Sequence, residues 1–276
     1  MSSAVAVRHG KFGRAAIYRM DKPMAVHAHR EGHLIFKLGG PDGTCTVEGL
    51  PFSVNQATAA AVNPWQPHCF APDDGLQDTC CLILYVDPAR FLEAGRSATG
   101  ILRFGSPSVD ITTSIARLIG TVADRLLDGA EDLGLAEDIF TLTERCFEQS
   151  WRSSPAKAVA EDGGCRGSDF RIRNSLNLMR SRLGDELLLD HIARDAGLSR
   201  PHFFKLFRKQ VGLTPNLYLN LLKTERSVQL LTTTREPVTT IGFDLGFASQ
   251  ASFTRFFTAN VGIPPTDYRR ASLARG

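Results

Sequence analysis

The last 110 residues of the chain place apolar side chains at the spacing of an amphipathic α-helix. Between Ser199 and Gly212 the apolar positions recur three, four and eight residues apart, at Phe203, Leu206, Phe207 and Val211. Residues at these spacings share one face of an α-helix, so they predict a buried stripe. The same stripe returns about fifty residues later, at Phe253, Phe256, Phe257 and Val261.

The two stripes belong to an internal repeat. "QVGLTPNLY" at Gln210 is echoed by "NVGIPPTDY" at Asn260, and "IARDAGLS" upstream of the first is echoed by "IGFDLGFAS" upstream of the second. Each copy predicts a short helix, a glycine turn and a second helix that begins at a serine N-cap and ends at Gly212 or Gly262. A fixed-period repeat of this kind predicts two helix-turn-helix units.

The outer faces of the two second helices differ, whereas the stripes are shared. The differing pairs are Arg200/Gln250, Pro201/Ala251, Phe204/Thr254, Lys205/Arg255 and Arg208/Thr258. A common scaffold with a varied polar face is expected of two readers of different DNA half-sites. The alternative is a duplicated helical hairpin with an idle solvated face, although such faces usually carry Glu and Lys.

A third helical pattern joins the two units. Apolar residues recur on a helical period from Asn216 to Thr234. About 17 residues of helix span ~25 Å. A rigid connector of that length suits two reading helices in successive major grooves, which lie ~34 Å apart.

Charge separates the two halves of the chain. From Arg166 onward there are 17 Lys/Arg and 9 Asp/Glu, a net of +8, whereas the preceding part has 15 and 20, a net of −5. The basic C-terminal part is therefore the expected site of binding to a polyanion.

The repeat and its connector resemble the C-terminal domain of the AraC/XylS family of bacterial transcription regulators. The resemblance covers Asp169 to Arg270 and is carried above all by "GFDLGFASQASFTRFFTANVGIPPTDYRR". One departure is Gly242, where the family usually has Ala, and glycine there costs ~1 kcal/mol of helix stability. The resemblance implies base contacts from the start and middle of each second helix, by Arg200, Pro201, Phe204, Lys205, Ser249, Gln250, Ser252 and Arg255.

The chemistry of most of these eight residues agrees with base reading. Arg and Lys donate to guanine, Gln bonds adenine, and a phenyl ring meets a thymine methyl group. Phe204 has an equal alternative, which is packing on a neighbouring helix. Pro201 also has a structural explanation, because its fixed φ suits a first helical turn.

The N-terminal half predicts a strand-rich domain followed by helices. Short β-rich runs between residues 14 and 105 are separated by Gly, Pro, Asp and Asn, which indicates a sandwich or barrel. The family resemblance implies a cupin-like β-barrel. From Val109 to Trp151 the pattern is helical, and these helices are expected to pack either on the barrel or on a second subunit.

Four histidines form the candidate effector site, namely His27, His29, His33 and His68. His27 and His29 share one face of an extended strand. The set resembles the cupin metal constellation, with His33 where a Glu ligand is usual. Imidazole suits Zn, Fe, Ni or Cu, but regulators of this family mostly bind organic ligands or nothing known.

Three interpretations of the histidines therefore stay open. We expect a metal-free ligand pocket, with a metal site and a purely structural cluster as alternatives. The aromatic residues that would line this pocket or fill the core are Phe36, Trp65, Phe70 and Tyr85.

The sequence thus predicts an α+β two-domain fold. Residues 1–152 form the cupin-like sensor domain with its C-terminal helices, residues 153–168 a linker rich in Ser, Gly and Ala, and residues 169–276 the DNA-binding domain with two helix-turn-helix units. No apolar run approaches the ~20 residues that span a bilayer, and the N-terminus lacks the core of a signal peptide. Six cysteines without C-x-x-C spacing are expected as reduced thiols of a cytoplasmic protein.

The expected function is sequence-specific transcription regulation, with the barrel sensing a small effector. The rival is a cupin-type metal-dependent enzyme fused to a DNA-binding module. The leading interpretation predicts no catalysis and no cofactor. Its expected partners are double-stranded promoter DNA, an unidentified small effector, RNA polymerase and a second copy of the chain, with no membrane.

Overall fold

The computed structural model describes residues 2–73, 77–99, 103–128, 133–152, 169–184, 189–211 and 213–273. The chain divides into two compact units. One unit, called the sensor unit below, comprises Met1–Ala158 together with Thr258–Gly276. The other, called the helical unit, comprises Val159–Phe257.

Two antiparallel sheets form the centre of the sensor unit. The described strands are β1 (Ser3–Gly10), β2 (Gly13–Met20), β3 (Gly32–Gly39), β4 (Gly43–Val47), β5 (Leu50–Val54), β6 (Thr58–Val62), β7 (His68–Pro72), β8 (Thr79–Val86) and β9 (Ser108–Asp110). Six strands form one sheet in the order β1-β2-β8-β3-β6-β9, and three form the other in the order β5-β4-β7. This is the predicted strand-rich N-terminal domain, whose described strands pair into two open sheets.

The central strand β8 shows why the sheet is covered on both faces. Its sequence TCCLILYV is almost continuously buried. Leu82, Leu84 and Val86 on one face join the hydrophobic core, and the alternate residues Ile83 and Tyr85 point to the opposite face. The opposite face is the interior on which the histidine site is built.

Three helices cover the outer face of this sheet. They are α1 (Pro88–Ala98), α2 (Thr113–Asp128) and α3 (Leu133–Arg152). Apolar residues of α2 and α3 share one core with the sheet, including Ile115, Val122, Leu142 and Phe147. Packing of these helices on their own sheet, which was one of the two alternatives, is therefore confirmed.

Some elements of this unit differ from the sequence prediction. The strand-rich region begins at Ser3 rather than at residue 14, and helix α1 lies inside the region predicted as strands only. The predicted helical stretch from Val109 is wrong at its start, because Val109 lies in β9, which pairs with β6. Helix α1 carried a local signal, since Asp87 caps it and Pro88 occupies its first position.

The helical unit contains both predicted second helices and the connector. Its described helices are α4 (Phe170–Ser181), α5 (Leu189–Asp195), α6 (Arg200–Val211), α7 (Pro215–Thr233), α8 (Val238–Asp244) and the start of α9 (Gln250–Val261). The predicted connector is confirmed as α7, which is 19 residues long and so spans about 28 Å. Gly212 lies outside the described residues.

The last helix, α10 (Pro265–Leu273), packs on β1 and belongs to the sensor unit. The boundary between the units falls inside α9, between Phe257 and Thr258. The predicted linker at residues 153–168 lies outside the described residues, so the predicted domain bounds stay a prediction. Among the described residues, no helix is long and apolar enough to cross a membrane, and Cys45, Cys69, Cys80, Cys81 and Cys146 are free thiols.

Candidate DNA-reading helices and histidine site

The first helix-turn-helix unit is formed by α5 and α6. Gly197 makes the turn between them at φ 66°, in the left-handed region that favours glycine. Phe203 and Phe207 are fully buried on one side of α6. Their burial fixes the rotation of α6, so that the residues on its other side face outward.

The second unit repeats this arrangement in α8 and α9. Gly246 makes the turn at φ 74°, and Phe253 and Phe257 are fully buried. Helices α6 and α9 are both 12 residues long, and α5 and α8 are both 7 residues long. The predicted repeat is therefore a structural repeat.

The eight candidate base-contact residues lie on the first two turns of α6 and α9 and on the turn that precedes α9. Most are exposed, whereas Phe204 and Ser252 are half-buried. No ion pair or hydrogen bond is recorded for the side chains of Lys205 and Arg255 among the described residues. These two cations are therefore available to a ligand.

Other candidates already have partners within the helical unit. The Arg200 guanidinium contacts Asp190 at 2.9 Å, and its Cζ lies 5.3 Å from the centre of the Phe204 ring. The Thr239 hydroxyl donates to the Gln250 side-chain carbonyl at 2.6 Å, which leaves the amide group of Gln250 as a donor. Arg200 and Phe204 therefore form one surface feature rather than two.

Ser249 and Ser252 cap helix α9. The Ser249 hydroxyl accepts from the backbone N–H of Ser252 at 3.1 Å, and the Ser252 hydroxyl donates to the Ser249 carbonyl at 2.7 Å. Capping of this kind stabilises a helix start by ~1 kcal/mol. The structure thus gives both serines a role in folding, beside the predicted role in base contact.

The four histidines come together in the interior of the sensor unit. His33 lies on β3, His68 begins β7, and His27 pairs with His68 through two backbone hydrogen bonds of 2.8 Å. All four are buried, with between 1% and 8% of their surface exposed. The ring centres of His27 and His68 are 4.3 Å apart, and those of His29 and His33 are 4.8 Å apart.

Burial keeps the four rings neutral. It lowers the pKa of His27 to about 4, and it lowers the pKa of His29, His33 and His68 well below the usual value. The Arg14 guanidinium adds to this lowering of the pKa at His27, His29 and His33. Neutral imidazoles have one nitrogen lone pair each, and so they can act as acceptors or as metal ligands.

Three of the four predicted aromatic neighbours are buried, and one is not. Phe36, Phe70 and Tyr85 are at most 4% exposed, whereas Trp65 is 41% exposed. Phe36 belongs to the hydrophobic core on the opposite face of the sheet. The Tyr85 ring contacts the rings of His29 and His33, with centres 5.0 Å and 4.4 Å apart.

Sequence reasoning missed a row of polar residues beside the histidines. Strand register places Arg14 on β2 opposite Tyr85 on β8, and Tyr85 opposite His33 on β3. The Arg14 Cζ lies 3.5 Å from the centre of the Tyr85 ring. Arg14 also donates to the hydroxyl of Tyr268 on α10 at 3.2 Å, and that hydroxyl lies 2.9 Å from His9 Nε2.

A separate cavity of about 300 Å³ lies on the helix-covered side of the sensor unit. Apolar side chains of Phe12, Val86, Ile139 and Phe140 line it, and Lys11, Arg90 and Glu137 also border it. It shares no residue with the histidine set. This cavity is therefore distinct from the histidine site.

Comparison with known proteins agrees with the helix-turn-helix geometry. A family model described as "Helix-turn-helix domain" matches residues 192–271. The chain is 23% identical over 252 residues to the probable transcriptional regulator LumQ of Photobacterium leiognathi, covering 91% of this chain and 94% of that protein. It is 32% identical to the transposon Tn10 TetD protein of Escherichia coli, covering 37% of this chain and 74% of TetD.

The whole fold also has solved counterparts. Apo ToxT of Vibrio cholerae superposes with a TM-score of 0.60 at 12% identity, covering 95% of this chain and 98% of that one. A ToxT structure described as bound to unsaturated fatty acid gives a TM-score of 0.57 at 12% identity, with coverage of 94% and 95%. At this identity the likeness shows the shared two-domain fold.

Proposed function

Because the chain belongs to the AraC/XylS family of DNA-binding transcription regulators, we propose that it acts as a one-component switch. In this proposal α6 and α9 recognise bases of one operator, and the sensor unit binds a small effector that changes operator occupancy. The protein works in the cytoplasm and performs no catalysis. The relatives support this, since they are named regulators.

The observation that carries the DNA-reading role is the duplication of a scaffold with two different outer faces. The buried phenylalanines are the same in both copies, but Lys205 on α6 is replaced by Arg255 on α9. A helix of this kind reads base edges in a major groove with its first turns. Two unlike faces therefore specify two unlike half-sites.

Within this proposal the eight residues differ in role, because some contact bases and others shape the helix starts. Lys205 and Arg255 are exposed cations that donate to guanine O6 and N7, and the free amide of Gln250 recognises adenine. Arg200, stacked with Phe204, contributes a combined polar and apolar surface. Pro201, Ser249 and Ser252 mainly shape the helix starts that approach the phosphates.

The test uses the full chain and an operator selected from random duplexes. Lys205→Ala and Arg255→Ala are each expected to reduce discrimination by ~1–3 kcal/mol at one or two base pairs. The affected positions should lie about one helical turn, or ~10 base pairs, apart. Lys209→Ala, an exposed cation in the last turn of α6, serves as the matched control and should weaken binding equally on all sequences.

Two results would refute this assignment. In one, the Lys205→Ala and Arg255→Ala variants change the base preference at the same base pairs. The other is a wild-type affinity that is indifferent to sequence, because two reading helices without base preference would make the module a general polyanion binder.

For the effector we propose the histidine set, His27, His29, His33 and His68, as the binding site. The four rings are buried polar groups, and such groups require partners. The alternative site is the cavity beside Phe12 and Arg90, whose mostly apolar walls suit an apolar ligand. ToxT, which shares the fold, has been solved with an unsaturated fatty acid.

The two sites are separated by the response of paired variants to the natural inducing condition. His68→Gln should abolish the change in operator affinity and leave basal affinity unchanged. Phe140→Ala should leave the change intact. The reverse result would assign sensing to the cavity.

A further inference from the structure

The backbone around the histidines fixes which ring nitrogen carries the proton. The Nδ1 atoms of His27, His29 and His68 each lie 2.9 or 3.0 Å from a backbone carbonyl oxygen, those of Ala25, Glu31 and Gln66. A carbonyl oxygen only accepts, so all three Nδ1 atoms must carry the hydrogen. A neutral imidazole whose proton is on Nδ1 presents its lone pair at Nε2.

Three of the four Nε2 atoms lack a donor. His27 Nε2, His68 Nε2 and His33 Nε2 are buried and have no hydrogen-bond partner among the described residues. His29 Nε2 accepts from His33 Nδ1 at 2.7 Å. A buried polar atom without a partner costs ~1–3 kcal/mol, so three such atoms in one cluster indicate that a ligand supplies the missing interaction.

The spacing fits a single atom better than a molecule. Ligand nitrogens of His27, His29 and His68 all lie within 4.8 Å of one another. A tetrahedral ion with bonds of ~2.0–2.1 Å holds its ligand nitrogens ~3.4 Å apart, so a small rotation of the rings closes the site. The rings of His29 and His68 are already in edge contact, with centres 4.9 Å apart.

The backbone that carries the three rings is tied together. His27 and His68 exchange backbone hydrogen bonds, and the carbonyl of His29 accepts from the N–H of Trp65 at 2.8 Å. Trp65 is held at φ 69°, a conformation that costs ~1–3 kcal/mol for a residue other than glycine. Strain retained beside a cluster of unpaired nitrogens is typical of a preorganised site.

From this arrangement we propose that His27, His29 and His68 bind one divalent transition-metal ion through their Nε2 atoms. Ligation by imidazole nitrogen selects Zn²⁺, Co²⁺, Ni²⁺, Cu²⁺ or Fe²⁺ over the oxygen-seeking Ca²⁺ and Mg²⁺. The three Nδ1–H···O=C bonds are the supporting interactions that hold metal-bound histidines in one tautomer. Metal binding at His29 Nε2 replaces the His33–His29 hydrogen bond and leaves His33 as a supporting group beside the ligands.

This proposal names a metal ion as the ligand of the proposed effector site. The metal site itself stands on its geometry, and only a metal-dependent change in operator affinity rests on the proposed function. The full chain is freed of metal with a chelator and dialysed against Zn²⁺ or Co²⁺. Bound metal is then measured by mass spectrometry. We expect one equivalent per chain, a visible Co²⁺ spectrum of the intense four-coordinate type, and a melting temperature that rises with metal, because only the native state forms the site.

Variants identify the ligands. His27→Gln and His68→Gln should each lose stoichiometric binding, whereas His33→Gln should weaken it by ~10–100-fold, the effect of a supporting group. His191→Gln, which removes an exposed histidine on α5, is the matched control and should bind one equivalent. If His27→Gln or His68→Gln fails to fold, the wild-type stoichiometry and Co²⁺ spectrum still decide the proposal.

The outcomes separate the metal site from the regulatory role. A wild-type chain that binds no metal, or ligand variants that keep one equivalent, would overturn the metal site. Operator affinity that changes under inducing conditions in metal-free protein would refute the metal as the effector and leave the proposed function standing. One equivalent of bound metal without any change in operator affinity would confirm the site and refute its role as the effector site.

Discussion

Each copy of the repeat ends in a tyrosine, but the hydroxyl groups of the two tyrosines find their hydrogen-bond donors in different parts of the molecule. Tyr218, at the start of α7, accepts a hydrogen bond from Arg180 Nε at 2.9 Å. Tyr268, at the equivalent position of α10, accepts one from Arg14 at 3.2 Å. Arg180 lies on α4 of the helical unit, whereas Arg14 lies on β2 of the sensor unit.

The difference shows that the same local motif can pack on a helix in one copy and on a strand in the other. In the first copy the tyrosine contacts only the helical unit in the interactions described, since its ring also contacts Phe207, with centres 5.7 Å apart. In the second copy the chain joins the sensor unit from Thr258 onward, and the Ala259 carbonyl accepts from the N–H of Ala25. The end of the second copy is therefore part of the sensor unit.

The largest expected effect tests whether the two copies have equivalent cores. Phe207→Ala and Phe257→Ala should each destabilise the protein by ~3–5 kcal/mol, because each removes a fully buried ring from a small core. The measurement is urea unfolding followed by circular dichroism. Phe204→Ala, at a half-buried position, should lower the unfolding free energy much less. Equal losses from Phe204→Ala and Phe207→Ala would show that the buried stripe is misassigned.

A second prediction exchanges the two tyrosines for phenylalanine. Tyr218→Phe and Tyr268→Phe should each lower the unfolding free energy by ~1.5–3 kcal/mol, because each removes a hydrogen bond to a charged arginine. Their effects on regulation should differ. The His33 ring and the Arg14 guanidinium both contact the Tyr85 ring, so a metal held by the histidines would add positive charge near the Arg14–Tyr268 contact.

Tyr268→Phe should therefore reduce the metal-dependent change in operator affinity, and Tyr218→Phe should leave it unchanged. Operator affinity is measured for both variants with and without one equivalent of Zn²⁺. An equal reduction in both variants would remove the distinction between the copies, because a general loss of stability would then explain the result.

The sequence predicted what is local and periodic. The buried stripes of α6 and α9, the glycine turns at Gly197 and Gly246 and the long helix α7 all follow from spacing within ten to twenty residues. The grouping of His27 with His29 on one face also followed from the parity of an extended strand. Each of these inferences needed only the geometry of one helix, one strand or one hairpin.

What the sequence left undetermined depends on partners far along the chain. Tyr268 is 254 residues from Arg14, and no period connects a tyrosine in a helical repeat with an arginine on a strand. The preference for an organic ligand over a metal at the histidines rested on what most regulators of the resembled family bind. The structure adds the Nδ1 carbonyl partners and unpaired Nε2 atoms, which the residue types alone do not reveal.

The smallest expected effect concerns Ala193 and Gly242, which are equivalent positions of α5 and α8. A Cβ atom built on Gly242 would lie 3.0 Å from the Cβ of Phe253, so α8 approaches α9 too closely for alanine without a shift. Glycine in a helix costs ~1 kcal/mol relative to alanine, and here that cost permits close packing. Ala193, by contrast, is buried with its methyl group in place.

We therefore expect the reciprocal substitutions to be asymmetric. Ala193→Gly should destabilise by ~1–2 kcal/mol, through lost helix propensity and a lost buried methyl group. Gly242→Ala should give no net stabilisation, because the gain in propensity of ~1 kcal/mol is offset by overpacking against Phe253. Urea unfolding of both variants gives the comparison. The contrary result is a Gly242→Ala protein whose unfolding free energy rises by as much as that of Ala193→Gly falls. It would mean that the two helix pairs have the same spacing and that Gly242 is not needed for close packing.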